Sequence, residues 1–347
     1  MPALEQTGQQ AVRFSAIDAL AYGLLGEVYF GKGDDQKAAA LFDTALSLSK
    51  TEANALQRTL MTAVENGDSV SAIAKLDILF RRWPAQFPSF APIIPDLLRS
   101  SEGYDVTLAT LRANPPWRAQ FLGFLNSDPN TVGLAYRLQM DLGGNTSASR
   151  NREIGGTLSA LLRDRHYDLA YRLFLLTLND NDKAHYGYIF NGGFGLEPSG
   201  RPFDWTWRSD PGVKIWRIEG LEPDESDSRL AIQFLGKPVK NIRASQYLYL
   251  PAGNYRLTAN LDAANLKAPK GLYLTISCVD PRGPVMRLDI PTGSYRDRTL
   301  VAQFELPDNS CGVLRLDLGT DLIAESFRYR YSGTLSIHDI ALRKIAS

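Results

Sequence analysis

The hydrophobic rhythm of this 347-residue chain changes near residue 185, and that change constrains the fold more than any other feature. Before it, apolar residues recur at the three- and four-residue spacing of helices that bury one face. After it, apolar and polar residues alternate, as in strands with one buried side. The chain is also long enough for two separate cores. The sequence therefore predicts a multidomain protein, α-helical first and all-β second.

The helical part contains a repeat with a period of about 34 residues. Small residues at fixed places let two helices approach closely, and larger residues fill the remaining space. The first unit places Tyr22, Leu25, Gly26, Tyr29, Ala38, Phe42 and Ala45 at these positions, and the second places Leu56, Leu60, Ala63, Ala72, Leu76, Leu79 and Pro84. The turns at 31–35 and 66–69 each supply a glycine to end one helix and an Asp or Ser to begin the next.

This pattern resembles the tetratricopeptide family, with Leu60 standing where the family prefers glycine. The resemblance implies an α-solenoid of helical hairpins, and further helical pairs extend the predicted repeat domain over residues 15–178. Because the concave groove of the family usually binds a peptide or protein segment, the resemblance also implies a protein partner. The alternative is that the helices only stack on one another and act as a spacer, with no dedicated ligand.

The second part reads as short strands bounded by Gly, Pro, Asn and Asp, with no long helix between them. This favours an antiparallel β-sandwich over βαβ units. The candidate strands are 214–219, 229–234, 246–250, 255–262, 272–279, 285–290, 300–306, 313–318, 328–331 and 334–343.

Four segments of this part resemble strands of jelly-roll carbohydrate-binding modules: 190–194 (FNGGF), 203–205 (FDW), 250–257 (LPAGNYRL) and 337–342 (IHDIAL). The resemblance begins at Ile189, so the β-sandwich is assigned to residues 189–347, and it implies a polysaccharide as a second partner. Many such modules place a carboxylate after the opening motif, where it helps to hold a structural calcium ion; this chain has Gly195 there. Glu197 and Asp339 remain as candidate calcium ligands. The expectation is nevertheless that the protein holds no cofactor.

Sugar recognition needs aromatic faces and planar hydrogen-bonding side chains. Trp205 and Trp207, beside Asp204 and Arg208 in a loop-like segment, are the predicted glycan-binding residues. For every other aromatic candidate a place in the core is the competing interpretation; these candidates are Trp216, Tyr247, Tyr249, Tyr273, Tyr295, Tyr329 and Tyr331.

The sequence carries no recognisable catalytic constellation. His166, His185 and His338 do not share metal-ligand spacing, and neither a nucleophile elbow nor a phosphate loop is present. Asp204 and Glu219 are the candidates for a carboxylate pair of the glycosidase type. The charge balance of 38 basic and 38 acidic residues, with no basic run, argues against a nucleic-acid partner.

The two cysteines, Cys278 and Cys311, are either a disulfide or two buried thiols. A disulfide would favour the periplasm or the cell exterior. No stretch has the length and apolar character of a transmembrane helix, and residues 1–16 do not resemble an export signal. The sequence as given predicts a cytoplasmic protein. If a leader is missing from its start, the periplasm or the cell envelope is favoured instead.

Together these features predict a non-enzymatic scaffold or adaptor. The helical array would bind a protein partner. The β-sandwich would bind a glycan, or would descend from a domain that did. By analogy, such a pairing suits cell-surface polysaccharide assembly or export. A purely protein-interacting or structural protein with a non-binding sandwich is the alternative, and a glycoside-processing enzyme is the third interpretation.

Overall fold

The computed structural model describes residues 2–143, 148–220, 228–308, 311–322 and 328–346. The chain divides into two compact units, Met1–Leu142 and Gly143–Ser347. The first unit is helical, and the second places helices before two antiparallel sheets. The predicted α-then-β architecture is confirmed.

The first unit is an array in which successive helices pack against one another, as an α-solenoid of helical hairpins requires. Two short 3-10 turns, Pro84–Gln86 and Ala91–Ile93, interrupt it. The helices are α1 (Pro2–Phe14), α2 (Ala19–Phe30), α3 (Asp35–Leu48), α4 (Ala53–Glu65), α5 (Ser69–Arg82), α6 (Phe87–Phe90), α7 (Ile94–Leu97), α8 (Ser101–Arg112), α9 (Arg118–Asn126) and α10 (Val132–Leu142).

The contact between α2 and α3 depends on a glycine. A Cβ atom at Gly26 would overlap the ring of Phe42, so only glycine lets the two helices approach this closely. Ala38 and Ala45 on the facing helix are fully buried. The small and large positions predicted from the repeat therefore do form the interface of this hairpin.

The turns inside the two repeats have the same backbone geometry. Gly33 and Gly67 adopt left-handed conformations, with φ of 78° and 70°. The next residues, Asp34 and Asp68, accept hydrogen bonds from backbone N–H groups of α3 and α5 and so cap those helices. The prediction that glycine ends one helix and aspartate caps the start of the next is confirmed.

Prolines divide the chain after α5 into a series of short elements. Pro84, Pro88, Pro92 and Pro95 each lie in the first turn of a short helix or 3-10 turn. Proline lacks a backbone N–H and is tolerated only in that first turn, so each one begins a new short element. None of the described helices is both long and apolar enough to cross a bilayer.

Helix α1 lies before residue 15, in a stretch where the sequence had predicted no element. It packs on α2 through Gly8, where a Cβ atom would lie 2.8 Å from Leu25. The hydroxyl of Tyr29 donates to Glu5 at 2.8 Å. Because α1 is rich in polar residues, an analysis of hydrophobic periodicity does not detect it. Its contacts with α2 stabilise it as a helix.

The second unit begins with α11 (Ala148–Arg163), α12 (Tyr167–Leu176) and α13 (Asp180–Ala184). These helices cluster with the sheets, so the compact unit starts at residue 143, whereas the sequence placed the division between 178 and 189. The physical reason is a group of rings, named here the aromatic cluster, that joins α12 to the sandwich. Its members are Tyr171, Phe174, Phe190, Phe203 and Tyr249.

Two five-stranded antiparallel sheets form the sandwich. Sheet A has the order β1-β4-β9-β6-β7, and sheet B has the order β2-β3-β10-β5-β8. Strand β1 was not predicted because it spans three residues, and the last two predicted strands join into β10. The strands are β1 (Thr206–Arg208), β2 (Val213–Ile218), β3 (Arg229–Pro238), β4 (Arg243–Leu248), β5 (Gly253–Lys267), β6 (Leu272–Cys278), β7 (Gly283–Ile290), β8 (Gly293–Leu306), β9 (Leu314–Gly319) and β10 (Arg330–Ile345).

The core lies between the sheets and is formed by alternate residues of each strand. Leu274 and Leu316 contribute to it from sheet A, and Leu257 and Leu335 from sheet B. The buried side of every strand leaves the intervening residues on the outer faces. The candidate strands thus follow the predicted jelly-roll type of β-sandwich.

A disulfide joins Cys278, at the end of β6, to Cys311, just before β9. The Cα atoms lie 5.4 Å apart, and the sequence separation is 33 residues. In the chain-entropy model, closing a loop of this length stabilises the fold by about 3 to 4 kcal/mol. Of the two alternatives for the cysteines, the structure has the disulfide.

We expect Gly26→Ala to destabilise the first unit. Alanine favours helix by about 1 kcal/mol relative to glycine, but the overlap with Phe42 should reverse this and lower the free energy of unfolding by about 1 to 3 kcal/mol. The measurement is urea unfolding followed by circular dichroism.

The matched control is Gly123→Ala in α9, where an added Cβ would meet nothing within 4 Å. This control should leave stability unchanged or raise it. Equal effects of the two substitutions would contradict the packing role of Gly26.

Candidate functional site

Trp205, predicted to bind a glycan, lies in the core of the sandwich. Its side chain is 2% exposed, and its ring centroid is 5.3 Å from that of Phe194. The indole Nε1 donates to the backbone oxygen of Asn191 at 3.1 Å. Because neighbours cover both the ring and its polar edge, Trp205 offers no face to a ligand in this structure.

Asp204 is buried beside it and is held by protein donors. Its carboxylate accepts hydrogen bonds from the backbone N–H and hydroxyl of Ser199 and from the N–H of Trp205, each at 2.7 Å. Burial raises the pKa of Asp204 in spite of these bonds. Glu219, its predicted companion in a catalytic pair, instead lies near Arg217, with 3.5 Å between the charged groups. Among the described residues, none forms a hydrogen bond or ion pair with both Asp204 and Glu219.

Trp207 and Arg208 lie on β1 and point to opposite sides of sheet A. Trp207 pairs with buried Ala244 and packs partly against the core. Arg208 pairs with exposed Arg243 and lies on the outer face. Among the described residues no carboxylate lies within ion-pair distance of Arg208. Of the four predicted residues, Arg208 is therefore the one most open to a ligand.

An arginine takes up the carbonyl groups at the predicted calcium site. Arg217 on β2 donates from Nε to the oxygen of Phe194 at 2.6 Å and from Nη2 to the oxygen of Gly195 at 2.5 Å. Its side chain is only 9% exposed, and a carboxylate oxygen of Glu197 lies 3.7 Å from Nη1. A guanidinium thus supplies positive charge to this group of oxygens.

Asp339, the other calcium candidate, lies on β10 beside the opening motif. A Cβ atom at Gly193 would be 3.9 Å from its carboxylate, and burial raises its pKa. Calcium requires six to eight oxygen ligands. Within the described ranges, no group of three or more His, Cys, Asp or Glu side chains could hold a metal ion. The oxygens of Phe194 and Gly195 are already bonded to Arg217, and Asp339 lies beside Gly192 and Gly193.

The outer face of sheet A is lined by planar and polar side chains. These residues alternate with the buried leucines and alanines of the same strands. We name the set the sheet A face; it consists of Arg208, Arg243, Ser245, Tyr247, Tyr273, Thr275, Ser277, Arg287, Asp289, Arg315 and Asp317. The register aligns them in rows across the strands: Ser245 lies opposite Asp317, which lies opposite Thr275, which lies opposite Arg287.

Ion pairs and stacking fix the orientation of several of these side chains. The Arg287 guanidinium lies 3.8 Å from the ring centroid of Tyr273 and forms a two-pronged pair with Asp321 at 2.8 and 3.1 Å. These bonds and that to Asp289 raise the pKa of Arg287, so it stays charged. On β9, the Nε atom of Arg315 lies 2.8 Å from Asp317. The face therefore presents pre-oriented hydrogen-bonding groups.

The sequence prediction had named two tyrosines of this face among its aromatic candidates but had missed its charged members. Arg315, Asp317 and Arg287 stand at alternate positions of predicted strands, which was the available signal. Periodicity separates the two sides of a strand but does not tell which sheet a strand joins. The aromatic candidates elsewhere differ: Tyr331 is buried, Tyr249 lies in the aromatic cluster, and Trp216 is exposed on sheet B.

Comparisons with known proteins find likeness in the β region. No family model matches the chain, and no curated protein matches it. Among solved structures, a CBM4 module has 16% identity and a TM-score of 0.31, covering 45% of this chain and 99% of its own. TmCBM61, solved with β-1,4-galactotriose, has 17% identity and a TM-score of 0.30, covering 46% of this chain and 99% of its own.

A third similar structure is a carbohydrate-binding module of Cellvibrio mixtus lichenase 5A, solved with cellotriose. It has 12% identity and a TM-score of 0.25, covering 40% of this chain and 92% of its own. Likeness of this size carries no argument about function. The function must therefore be inferred from the residues of this chain.

We expect Arg217→Met to destabilise the second unit. Methionine keeps an apolar stem but leaves the oxygens of Phe194 and Gly195 without their donor, at a cost of about 2 to 4 kcal/mol. Thermal unfolding of the wild type and the variant measures the loss.

Calcium chloride in the millimolar range should leave the unfolding temperature of the wild type unchanged, because Arg217 already donates to the oxygens of Phe194 and Gly195. A rise of several degrees on adding calcium, reversed by a chelator, would contradict this account.

Proposed function

We propose that the protein is a non-enzymatic adaptor whose β-sandwich binds a glycan along the sheet A face. The observation that supports this is the concentration of tyrosine, arginine and aspartate side chains on one outer face. Tyrosine rings pack against the apolar side of a sugar ring, and planar charged groups form paired hydrogen bonds with hydroxyl groups. A polar ligand with many hydroxyls suits such a surface better than an apolar one.

The order of the side chains favours binding. Arg287 is held by Tyr273 and Asp321, and Arg315 is held by Asp317. A side chain that is already fixed loses less conformational entropy when a ligand arrives, and ordering a free one costs about 0.5 to 1.5 kcal/mol. The ion pairs therefore act as supports for hydrogen bonds to the ligand.

The dimensions of the face favour a chain of sugars. Neighbouring strands lie about 4.8 Å apart, so the five strands of sheet A span about 19 Å. Groups capable of hydrogen bonding occur from Arg208 on one edge to Asp289 on the other. A ligand lying across the strands would contact several of these groups at once.

Exposed apolar side chains of the helical unit support the proposal of a protein partner. Phe14, Ile17 and Leu20, at the connection between α1 and α2, are 93%, 78% and 64% exposed. Apolar side chains exposed together in this way are typical of protein-interaction sites. We assign the partner-binding half of the adaptor to this apolar patch.

The disulfide favours an oxidising compartment for the adaptor. Disulfides persist in the periplasm and outside the cell and are rare in reducing cytosol. A glycan-binding adaptor there would serve cell-surface polysaccharide assembly or export, and this setting is part of the proposal.

We expect Tyr247→Ala and Arg315→Ala to weaken glycan binding by about tenfold each, which is the loss of one good contact of about 1.4 kcal/mol. Binding is measured by glycan-array screening of the full chain, followed by titration calorimetry with the oligosaccharide that binds best.

The matched control is Trp216→Ala, which removes an exposed aromatic ring from sheet B and should leave affinity unchanged. Binding to no glycan of an array spanning bacterial, plant and animal polysaccharides would contradict the proposal and favour a protein-interacting or structural sandwich. So would equal affinity in all three variants.

We expect a photo-cross-linking amino acid placed at Ile17 to capture one discrete protein in the native cell. The same group at Asp35, which is exposed and polar, is the control and should capture none. Immunoblotting of the tagged chain shows the product, and identical patterns at the two positions would contradict the assignment of the partner to the apolar patch.

A further inference from the structure

A cavity of about 520 Å³ lies in the second unit, at one end of the sheet A face. The turn between α11 and α12 forms one wall, and the sandwich forms the other. The residues on which its chemistry depends are Arg163, Arg165 and Tyr167 from the helical side and Tyr247, Asp280 and Arg282 from the sandwich side. Tyr247 belongs to both the cavity and the sheet A face, so the two surfaces are continuous.

The cavity carries an excess of positive charge. Three arginines line it, against the single carboxylate of Asp280. Arg165 pairs with Asp280 at 2.9 Å, and Arg163 pairs with the adjacent Asp164 at 2.6 Å. In the part of the chain that the structure describes, no carboxylate lies within 4.0 Å of Arg282. The three arginines carry three positive charges, and Asp280 and Asp164 together carry two negative charges. A net charge of +1 therefore remains for a ligand.

Arg165 occupies a backbone position that glycine fills at the turns after α2 and α4. The N–H of His166 donates to Leu161, and that of Arg165 donates to Leu162, which closes α11 as a Schellman turn. The turns at Gly33 and Gly67 show the same two hydrogen bonds. Arg165 has φ of 64° there, in the left-handed region that costs a residue with a Cβ about 1 kcal/mol or more.

Fold stability gives no reason for an arginine at this turn. Its ion pair with Asp280 is exposed, with side chains 70% and 34% accessible, and such pairs contribute about 0 to 1 kcal/mol. Glycine would satisfy the same hydrogen bonds without strain. Strained residues cluster at functional sites, and here the strain accompanies a guanidinium that lines the cavity.

The two tyrosines supply the apolar part of the cavity. A Cβ atom at Gly312 would overlap the ring of Tyr167, so that ring lies directly on the backbone before β9. Tyr247 is partly exposed on the opposite side. Ring faces beside guanidinium groups suit a ligand that combines an apolar ring surface with an anionic group.

We propose that this cavity binds an anionic sugar residue, bearing a carboxylate or a sulfate ester, of the glycan that lies on the sheet A face. The proposal rests on the glycan-binding function proposed above and specifies its ligand class. Arg165 and Arg282 contact the anionic group, and Tyr247 packs against the sugar ring. A glycan with acidic residues is thereby distinguished from a neutral one.

The test compares three oligosaccharides of equal length with the full chain by titration calorimetry: oligogalacturonate, the same oligomer with its carboxyl groups reduced to alcohols, and a sulfated neutral oligomer. We expect at least one acidic oligomer to bind about tenfold more tightly than the reduced one at low salt. The difference should shrink as ionic strength rises from about 0.05 M to 0.5 M, because salt screens exposed charges. Preference for one acidic oligomer identifies the anion as carboxylate or sulfate.

The decisive variant is Arg165→Gly, which removes the guanidinium and relieves the turn. It should lose about tenfold in affinity for the preferred acidic oligomer, keep its affinity for the reduced oligomer, and unfold at the same or a higher temperature. The control is Arg343→Ala, which removes one exposed positive charge from β10 on sheet B and should change neither affinity.

The outcomes separate the two proposals. Equal affinity for acidic and reduced oligomers, or an unchanged preference in Arg165→Gly, overturns the anionic site while leaving glycan binding intact. Failure of all three oligomers here, together with an empty glycan array, overturns glycan binding itself.

Discussion

The aromatic cluster that fastens α12 to the sandwich is the contact on which the second unit depends. Tyr171 stacks on Tyr249 with centroids 5.1 Å apart, and it meets Phe203 edge-on at 5.3 Å. Phe174 meets Phe190 edge-on at 5.4 Å. Such pairs contribute about 0.5 to 1.5 kcal/mol each beyond the area they bury. They hold the α11–α12 hairpin against one end of sheet A, where the turn of the hairpin forms one wall of the cavity.

The start of the sandwich is fastened by a second set of contacts that involve buried polar groups. Gln246 both accepts from the N–H of Phe190 and donates to its oxygen. Arg217 bonds the carbonyls of Phe194 and Gly195. Buried polar atoms are costly unless they are paired, and these pairings satisfy the irregular backbone before β1. A guanidinium thus supplies the donors for two carbonyl oxygens of the segment where the resemblance had suggested a metal ion.

Arginine serves two different purposes in this unit. Arg217 is buried and bonded to backbone oxygens, so its role is structural. Arg165 is exposed and has a left-handed backbone, and the role proposed for it is to bind a ligand. Burial and hydrogen bonding separate the two, whereas residue type and position in the sequence do not. By the same distinction, Trp205 and Asp204 are buried, whereas Arg208 lies on the sheet A face.

The sequence by itself determined the helical hairpins, the β-sandwich and most strand positions, because these follow from local periodicity, small residues such as Gly26 and turn residues such as Gly33. It did not reveal α1 or β1, whose apolar patterns are too weak or too short. Only the tertiary structure decided that α11–α13 belong with the sandwich, that Trp205 faces the core, and that Tyr247 and Arg315 share an outer face. Those facts arise from contacts between residues far apart in the chain, and alternation along one strand carries no information about its neighbours.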